Sequence, residues 1–538
     1  MLIGYVSDER YLAINDVAVE FRRGLERAAL VRSGPTGAVY AEIEPGPYRV
    51  SLARQGYGSK SLEIAVDPQR PYQFRLLSDC LLGYVWPKWV QTGERSEFRV
   101  HAVEAYHLSL WRYGLRKEHI RNIGWFDEHG PRATMQITPD GDYVQTGVQW
   151  NKEGYHNPHH TQFVTGPERS GLYYLHAKGE SGAFFSFPWI VAPARPAARI
   201  AVLASTTNWN AYNNFGGRSN YVHPEGLPAE PPVNARLDLE RYRVDGFSGF
   251  KHPDDHYPPI SFDRPEPGNC VPEHTEVTDP IAGRQQSHLA PMEWRLLGWL
   301  EREGLAYDLY SESQLHYGRL PLDDYDIVIS VGHPEYVTRK MYDDLKQWVH
   351  ERGGKYLYLG ANGFSCECEF PDETRMRCKT QMRAADDQEW IVDPTDPTKF
   401  ESRLHRVHEP EGALLGVTCS ALGLMTGAPF EVVEPDHWIF EGTGLRKGDL
   451  FGQRNQQERC PEGASGHEMD RISRYAPAGT VLLAKGLNPE NGGAEMAYYD
   501  LPLGGAVFAA SSITWAGSLL VDAAVSRITA NVIRRFLG

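Results

Sequence analysis

Apolar and polar positions change rhythm twice along this chain. From residue 1 to about 78, short alternating runs such as Ala18-Val19-Glu20-Phe21, Ala38-Val39-Tyr40 and Tyr48-Arg49-Val50-Ser51-Leu52 are separated by Gly34-Pro35 and Pro45-Gly46-Pro47. Period-two alternation marks half-buried strands, and turns at this spacing predict a small β-sandwich-like domain. Residues 79–193 continue in strands, among them Glu97–Val103, Gly171–Ala177 and Phe184–Phe187, and predict a second, Ig-like β domain. The Pro/Ala segment Val191–Pro196 reads as a linker. Beyond it the texture changes. Arg199–Ala204, Asp326–Val331 and Lys355–Leu359 are continuous apolar runs, the pattern of strands covered on both faces. Between them, Leu289–Arg302 and Thr338–Arg352 carry apolar residues at helical period, and Gly353-Gly354 supplies a helix stop. Strands alternating with helices predict a doubly wound α/β domain over 197–538.

Composition narrows the classes of function. The 538 residues allow three or four domains at roughly 150 residues each, and the segments above settle on three. The formal net charge is −15, without a Lys/Arg-rich segment, so the basic footprint a phosphate backbone needs is missing and nucleic acid is excluded as a partner. Seven cysteines are too few for a secreted disulfide scaffold. Met1–Tyr5 does not open a secretory leader, and a cytoplasmic setting is the expectation. Leu501–Val521 is uncharged and long enough to span a bilayer. Its Pro502, Gly504, Gly505 and Ser511-Ser512 instead predict a buried strand, a loop and a helix start, with no membrane partner.

In open parallel sheets ligands bind beyond the carboxyl ends of the strands. Three such ends are rich in chemistry: Ser205–Tyr221, Gly332-His333-Pro334-Glu335-Tyr336 and Gly360-Ala361-Asn362-Gly363-Phe364. His333 and Glu335 flank a proline; they read either as a helix cap with a solvated imidazole or as a metal or acid–base pair. The tyrosines read either as packed aromatics or, with a carboxylate, as a hard oxygen site suited to Fe³⁺. Elsewhere, His156, His159 and His160 read as a polar loop more readily than as a divalent-metal site. Cys366, Cys368 and Cys378 read as packed thiols more readily than as a soft-metal site. Trp209 and Trp515 fit either the core or an aromatic pocket wall.

Two resemblances follow from these residues. Gly46-Pro47-Tyr48-Arg49-Val50 resembles the transthyretin-like accessory domains found beside many enzymes. Thr207–Tyr221, Ser261–Pro265, Gly332–Tyr336, Gly360–Phe364, Gly466–Arg471 and Ser511–Ser518, taken in order, resemble the family of the N,N-dimethylformamidase large (beta) subunit over about residues 199–538. The resemblance implies a glutamine-amidotransferase-like α/β catalytic domain. It also implies an amidohydrolase acting on a small N-substituted amide, and a mononuclear iron held by two tyrosines and one glutamate. Carried over, the iron ligands would be Tyr212, Tyr221 and Glu335, with His333, Asn362 and Glu468 catalytic. Because the spacing between the tyrosines is short, Tyr257 rivals Tyr221. On this reading Glu468 is the general base toward water, and His333 and Asn362 bond the developing oxyanion. The partners expected with it are further copies of the same chain and a small second subunit. The rival reading is a non-catalytic binding or assembly protein with a degenerate amidotransferase-like domain.

Overall fold

Where the sequence runs apolar without a break, the strands lie at the centre of a sheet. The computed structural model describes residues 1–538 except 9–10, 58–59, 77, 79–80, 103, 127–162, 214, 216–218, 221–229, 234–258, 281–287 and 380–400. The chain is multidomain and mostly β-sheet, with few helices. A three-stranded and a four-stranded sheet share one core before residue 77, with Ile3, Val6 and Phe74 meeting Val19, Phe21, Val50 and Ile64. A second pair of sheets, three- and five-stranded, encloses another core that includes Tyr84, Phe98, Leu110, Leu175 and Trp189.

The largest sheet has nine strands. In chain order they are β1 (Ile200–Ala204), β2 (Asp308–Ser311), β3 (Ile327–Gly332), β4 (Lys355–Gly360), β5 (Phe430–Val432), β6 (Leu450–Phe451), β7 (Val481–Gly486), β8 (Glu495–Asp500) and β9 (Ala506–Ala509). Across the sheet they run β2-β1-β3-β4-β9-β8-β7-β5-β6. The first five in that order are parallel, with Ile200 opposite Ile327, Ile329 opposite Leu357 and Leu357 opposite Phe508. The remaining four add on antiparallel. The alternation of strands and helices predicts only the parallel part. Short strands such as Phe430-Glu431-Val432 carry too few positions to announce a period.

Both faces are covered. On one, Val202, Ile329 and Leu357 pack with α2 (Ala290–Arg302) and the C-terminal helix (Ala523–Leu537). On the other, Leu203, Val328 and Tyr356 pack with α3 (Glu312–His316) and α4 (Arg339–Arg352). Thr338 caps α4, its side chain accepting from Met341 N–H, and Gly353 ends it at φ 77°. Leu501–Val521 forms β9, a loop and a short helix at Trp515–Ser518. Among the described residues no helix is long and apolar enough to cross a membrane.

The strand order reverses at β1, whose neighbours β2 and β3 leave in opposite directions. That reversal opens a crevice beyond the carboxyl ends of β1 and β3. The second β unit buttresses this side of the sheet: Trp294 of α2 donates to Gly114 O at 2.7 Å, and Lys88 pairs with Glu266 at 2.6 Å.

Candidate active site

β1 runs into α1 (Thr206–Ala211), a short helix buried along its whole length. The unpaired N–H groups that open a helix need acceptors, and here two buried carboxyls provide them. Glu312 Oε2 accepts from Thr207 N–H at 3.0 Å and from the Thr207 hydroxyl. Glu293 Oε1 accepts from Trp209 Nε1 at 2.8 Å and Ser205 N–H at 3.3 Å. Burial pushes each of these carboxyls up to about 8. The far end of α1 is held by Arg264, fully buried. Its Nη2 donates to Asn210 O and Oδ1, both at 3.0 Å, and its Nη1 to Phe215 O at 3.1 Å. The preceding residue, Asp263, accepts from Tyr84 Oη at 2.8 Å and from Arg99 of the second β unit. Tyr212, directly after α1, is thereby fixed over the crevice.

β3 ends at Gly332, at φ 77°. A Cβ there would sit 1.8 Å from Met292 Cε, so the position admits glycine alone without a shift. His333 and Glu335 follow, with side chains 1% and 2% exposed. Because Thr338 caps α4, the reading of this pair as a helix cap with a solvated imidazole lapses. Beyond β4, Asn362 and Phe364 take left-handed backbone angles of 50° and 55°. Asn362 N–H donates to Asp470 Oδ1, and Tyr358 Oη donates to Asp470 Oδ2, each at 2.7 Å. The Glu468 segment is docked on the end of β9: Asp470 N–H donates to Ser511 O at 2.9 Å, and His467 and Ser511 lie at φ 68° and 62°. Non-glycine residues in this region are strained, and such strain gathers at functional sites.

The side chains converge. Tyr212 Oη donates to Glu335 Oε2 at 2.9 Å. His333 Nε2 lies 3.4 Å from the same oxygen and 3.0 Å from Glu468 Oε2. Asn362 Nδ2 donates to Glu468 Oε2 at 2.9 Å and lies 3.3 Å from His333 Nε2. Burial disfavours charge on His333, but Glu468, Glu335 and Asp470 outweigh it and raise its tendency to hold a proton. Burial likewise disfavours ionised Glu468, yet His333 and the Asn362 hydrogen bond hold its carboxyl well below the usual range. Each partner thus favours the charged form of the other. Asp470 goes the other way, pushed up to about 7 by burial.

Five of the residues singled out from sequence, Tyr212, Glu335, His333, Asn362 and Glu468, thus lie together. Tyr221, Tyr257, His156, His159 and His160 lie outside the described residues. Cys366, Cys368 and Cys378 are buried in a small apolar cluster with Tyr336, and burial raises the thiols of Cys368 and Cys378. Trp209 and Trp515 pack among apolar side chains. Both are buried in the core, Trp515 against Phe430, Phe451 and Phe508. Sequence reasoning missed Arg403, His288 and the role of Asp470. Arg403 Nη1 donates to Glu335 Oε1 at 3.0 Å, and the His288 ring centroid is 4.5 Å from that of Tyr212. Neither stands in a periodic segment, so no local signal marks them. Among the described residues, no group of three or more His, Cys, Asp or Glu side chains is arranged to hold a metal ion.

The profile of the family "N,N-dimethylformamidase beta subunit-like, C-terminal" matches residues 106–527. The chain belongs to this family. It is similar to the N,N-dimethylformamidase beta subunit of Paracoccus aminophilus, 26% identical over 612 aligned positions covering 94% of this chain and 74% of that protein. It is also similar to the protein of the same name from an Alcaligenes species, 25% identical over 512 positions covering 79% of this chain and 62% of that protein. Among solved structures, a DUF3823 family protein from Bacteroides ovatus is 8% identical, covering 34% of this chain and 97% of that one, at a TM-score of 0.13. The dimethylformamidase family match begins in the second β unit and takes in every segment of the crevice described above.

Proposed function

We propose that this chain is an iron-dependent amidohydrolase that cleaves the C–N bond of a small N-substituted amide. The observation that carries the reading is the convergence of Tyr212, Glu335, His333, Asn362 and Glu468 at the strand-order reversal. Names borne by the relatives, dimethylformamidase beta subunits, support amide hydrolysis as the reaction class and a second kind of subunit as a partner. A homo-oligomer and a cytoplasmic setting complete the proposal. We read 1–78 and 79–193 as transthyretin-like and Ig-like β-sandwich domains, and 197–538 as a glutamine-amidotransferase-like catalytic domain; the two-sheet cores and the five parallel strands support this.

The residues fit a hard cation. Tyr212 Oη and Glu335 Oε2 are oxygen donors 2.9 Å apart in a buried setting, and such donors suit Fe³⁺ better than soft metals. Tyr212, Glu335 and Tyr221, or Tyr257 in its place, would hold it. When bound, the ion supplies Lewis acidity toward the amide carbonyl or water. The chain's own residues supply the rest. His333 and Asn362 donate to the carbonyl oxygen as negative charge builds there. As His333 turns its proton to substrate, Glu468 loses the partner that depresses its basicity. Glu468 then takes a proton from the attacking water and delivers it to the departing amine nitrogen.

The test is metal analysis of the purified protein together with amine release from a panel of N-substituted amides. About one iron per chain, and amine release that Glu335→Ala abolishes along with the iron, support the reading. No transition metal and no amine release favour a non-catalytic binding or assembly protein.

A further inference from the structure

The Glu335 carboxylate has two unlike sides. Its Oε2 faces Tyr212 and His333, at 2.9 and 3.4 Å. Its Oε1 faces Arg403, whose Nη1 lies 3.0 Å away. Arg403 sits on 401–408, a stretch of turns and bends, yet that stretch is pinned on several sides. Leu404 N–H donates to Ser365 O at 2.8 Å. The buried Glu401 carboxylate accepts from Arg474 N–H at 3.1 Å and from the Ser473 hydroxyl. Ser402 donates to the buried Glu411, which also accepts from Thr418. Ser365 adjoins Cys366, whose N–H donates to Glu335 O at 3.1 Å. The guanidinium and the carboxylate it meets are thus anchored on the same strand start.

We propose that Arg403 is a positioning residue for the iron site: by engaging Glu335 Oε1 it turns Oε2 toward Tyr212 and offsets the charge of an all-oxygen donor set. The inference rests on the metal-dependent reading above. Two anionic donors held close repel each other before any cation arrives, and a nearby fixed positive charge lowers that cost. Guanidinium suits the role because it stays protonated and presents its donors in a rigid plane, whereas an ammonium is a mobile point charge. Partners that orient a metal-ligating carboxylate typically contribute about 10- to 100-fold in metal affinity or activity.

The experiment compares wild type, Arg403→Gln and Arg403→Lys by iron affinity in competition with a chelator, by visible absorption of the iron-loaded protein, and by thermal unfolding of the iron-free protein. Arg403→Gln should bind iron about 10- to 100-fold more weakly with a displaced visible band, in iron-free protein that still unfolds in one cooperative transition. Arg403→Lys should fall between the two, and it decides the matter if the Gln variant does not fold. Iron affinity within twofold of wild type and an unmoved band would overturn the proposal. So would loss of the cooperative iron-free transition in both variants, which marks Arg403 as a strut of the fold. Wild-type protein that takes up no iron sinks the metal reading itself, before any variant is made.

Discussion

Asn362 Nδ2 donates to Glu468 Oε2 at 2.9 Å, joining two residues 106 positions apart in the chain. What makes this bond possible is Asp470. Its Oδ1 takes the Asn362 N–H and its Oδ2 the Tyr358 hydroxyl, so that one carboxyl fixes the left-handed turn beyond β4 against the Glu468 segment. Asp470→Ala should leave both donors unmet at about 1–3 kcal/mol each. It should also let Asn362 drift, and a displacement of about 1 Å near reacting groups can cost on the order of 100-fold in rate. Asp470→Asn keeps an acceptor for Asn362 and should lose far less. Amide-hydrolysis kinetics alongside melting temperatures check this; equal activity in the Ala and Asn variants would contradict it.

The Tyr212–Glu335 pair predicts a colour. A phenolate bound to ferric iron absorbs visible light, so iron-loaded wild type should be coloured and Tyr212→Phe should lose or displace the band. Tyr212 donates to Glu335 and packs on His288 and His333, so the Phe variant keeps the ring contacts and removes only the oxygen. An identical visible spectrum in wild type and variant would remove Tyr212 from the ligand set. Tyr221→Phe and Tyr257→Phe, measured the same way, choose between the two candidates for the second tyrosine.

How much of this was legible from sequence depends on what kind of signal each part carries. β1, β3 and β4 announce themselves because a strand covered on both faces must be apolar throughout, and Gly353 because a left-handed helix end favours glycine. Their carboxyl ends could then be searched for chemistry, which is how His333, Glu335 and Asn362 stand out. The antiparallel part of the sheet carries no such signal: β5 and β6 are only three and two residues long, and β7 and β8 alternate only in part. Arg403 and His288 were invisible for a different reason. They lie in irregular segments whose meaning comes wholly from the tertiary contact, and no spacing in the chain foretells that Arg403 meets a residue 68 positions earlier.

Arg264 seats α1 next to Asp263, which meets the second β unit, and its removal should be felt at the site. The fully buried guanidinium holds Asn210, Phe215 and Ser261 while Asp263 beside it is clamped by Tyr84 and Arg99. Arg264→Met should leave several buried acceptors unmet, a loss of several kcal/mol at about 1–3 kcal/mol each. Because the same contacts seat α1, iron content should fall with stability even in chains that remain folded. Metal analysis on the folded fraction separates the two effects. A folded Arg264→Met protein with full iron would show that α1 is held by Glu293 and Glu312 alone.

Glu293 makes stability depend on pH in a direction opposite to that of an ordinary paired carboxylate. Its folded-state pKa is pushed up to about 8 by burial, against about 4.3 in an unfolded chain. Between those values the folded protein keeps a proton that the unfolded chain has lost. Stability therefore falls as pH rises, by about 1.4 kcal/mol per pH unit for one such group, and levels off once the folded carboxyl has also ionised. The contribution is fully present below the unfolded pKa and is lost through the folded one. Glu293→Gln keeps an acceptor oxygen for Trp209 and Ser205 but does not titrate. The variant should match wild type or fall slightly below it near pH 5, and should become the more stable of the two above pH 8. Melting temperatures of both proteins across this range test the prediction. A difference that stays constant with pH would mean that Glu293 is already ionised in the folded protein, leaving a charged carboxylate, not a neutral one, at the start of α1.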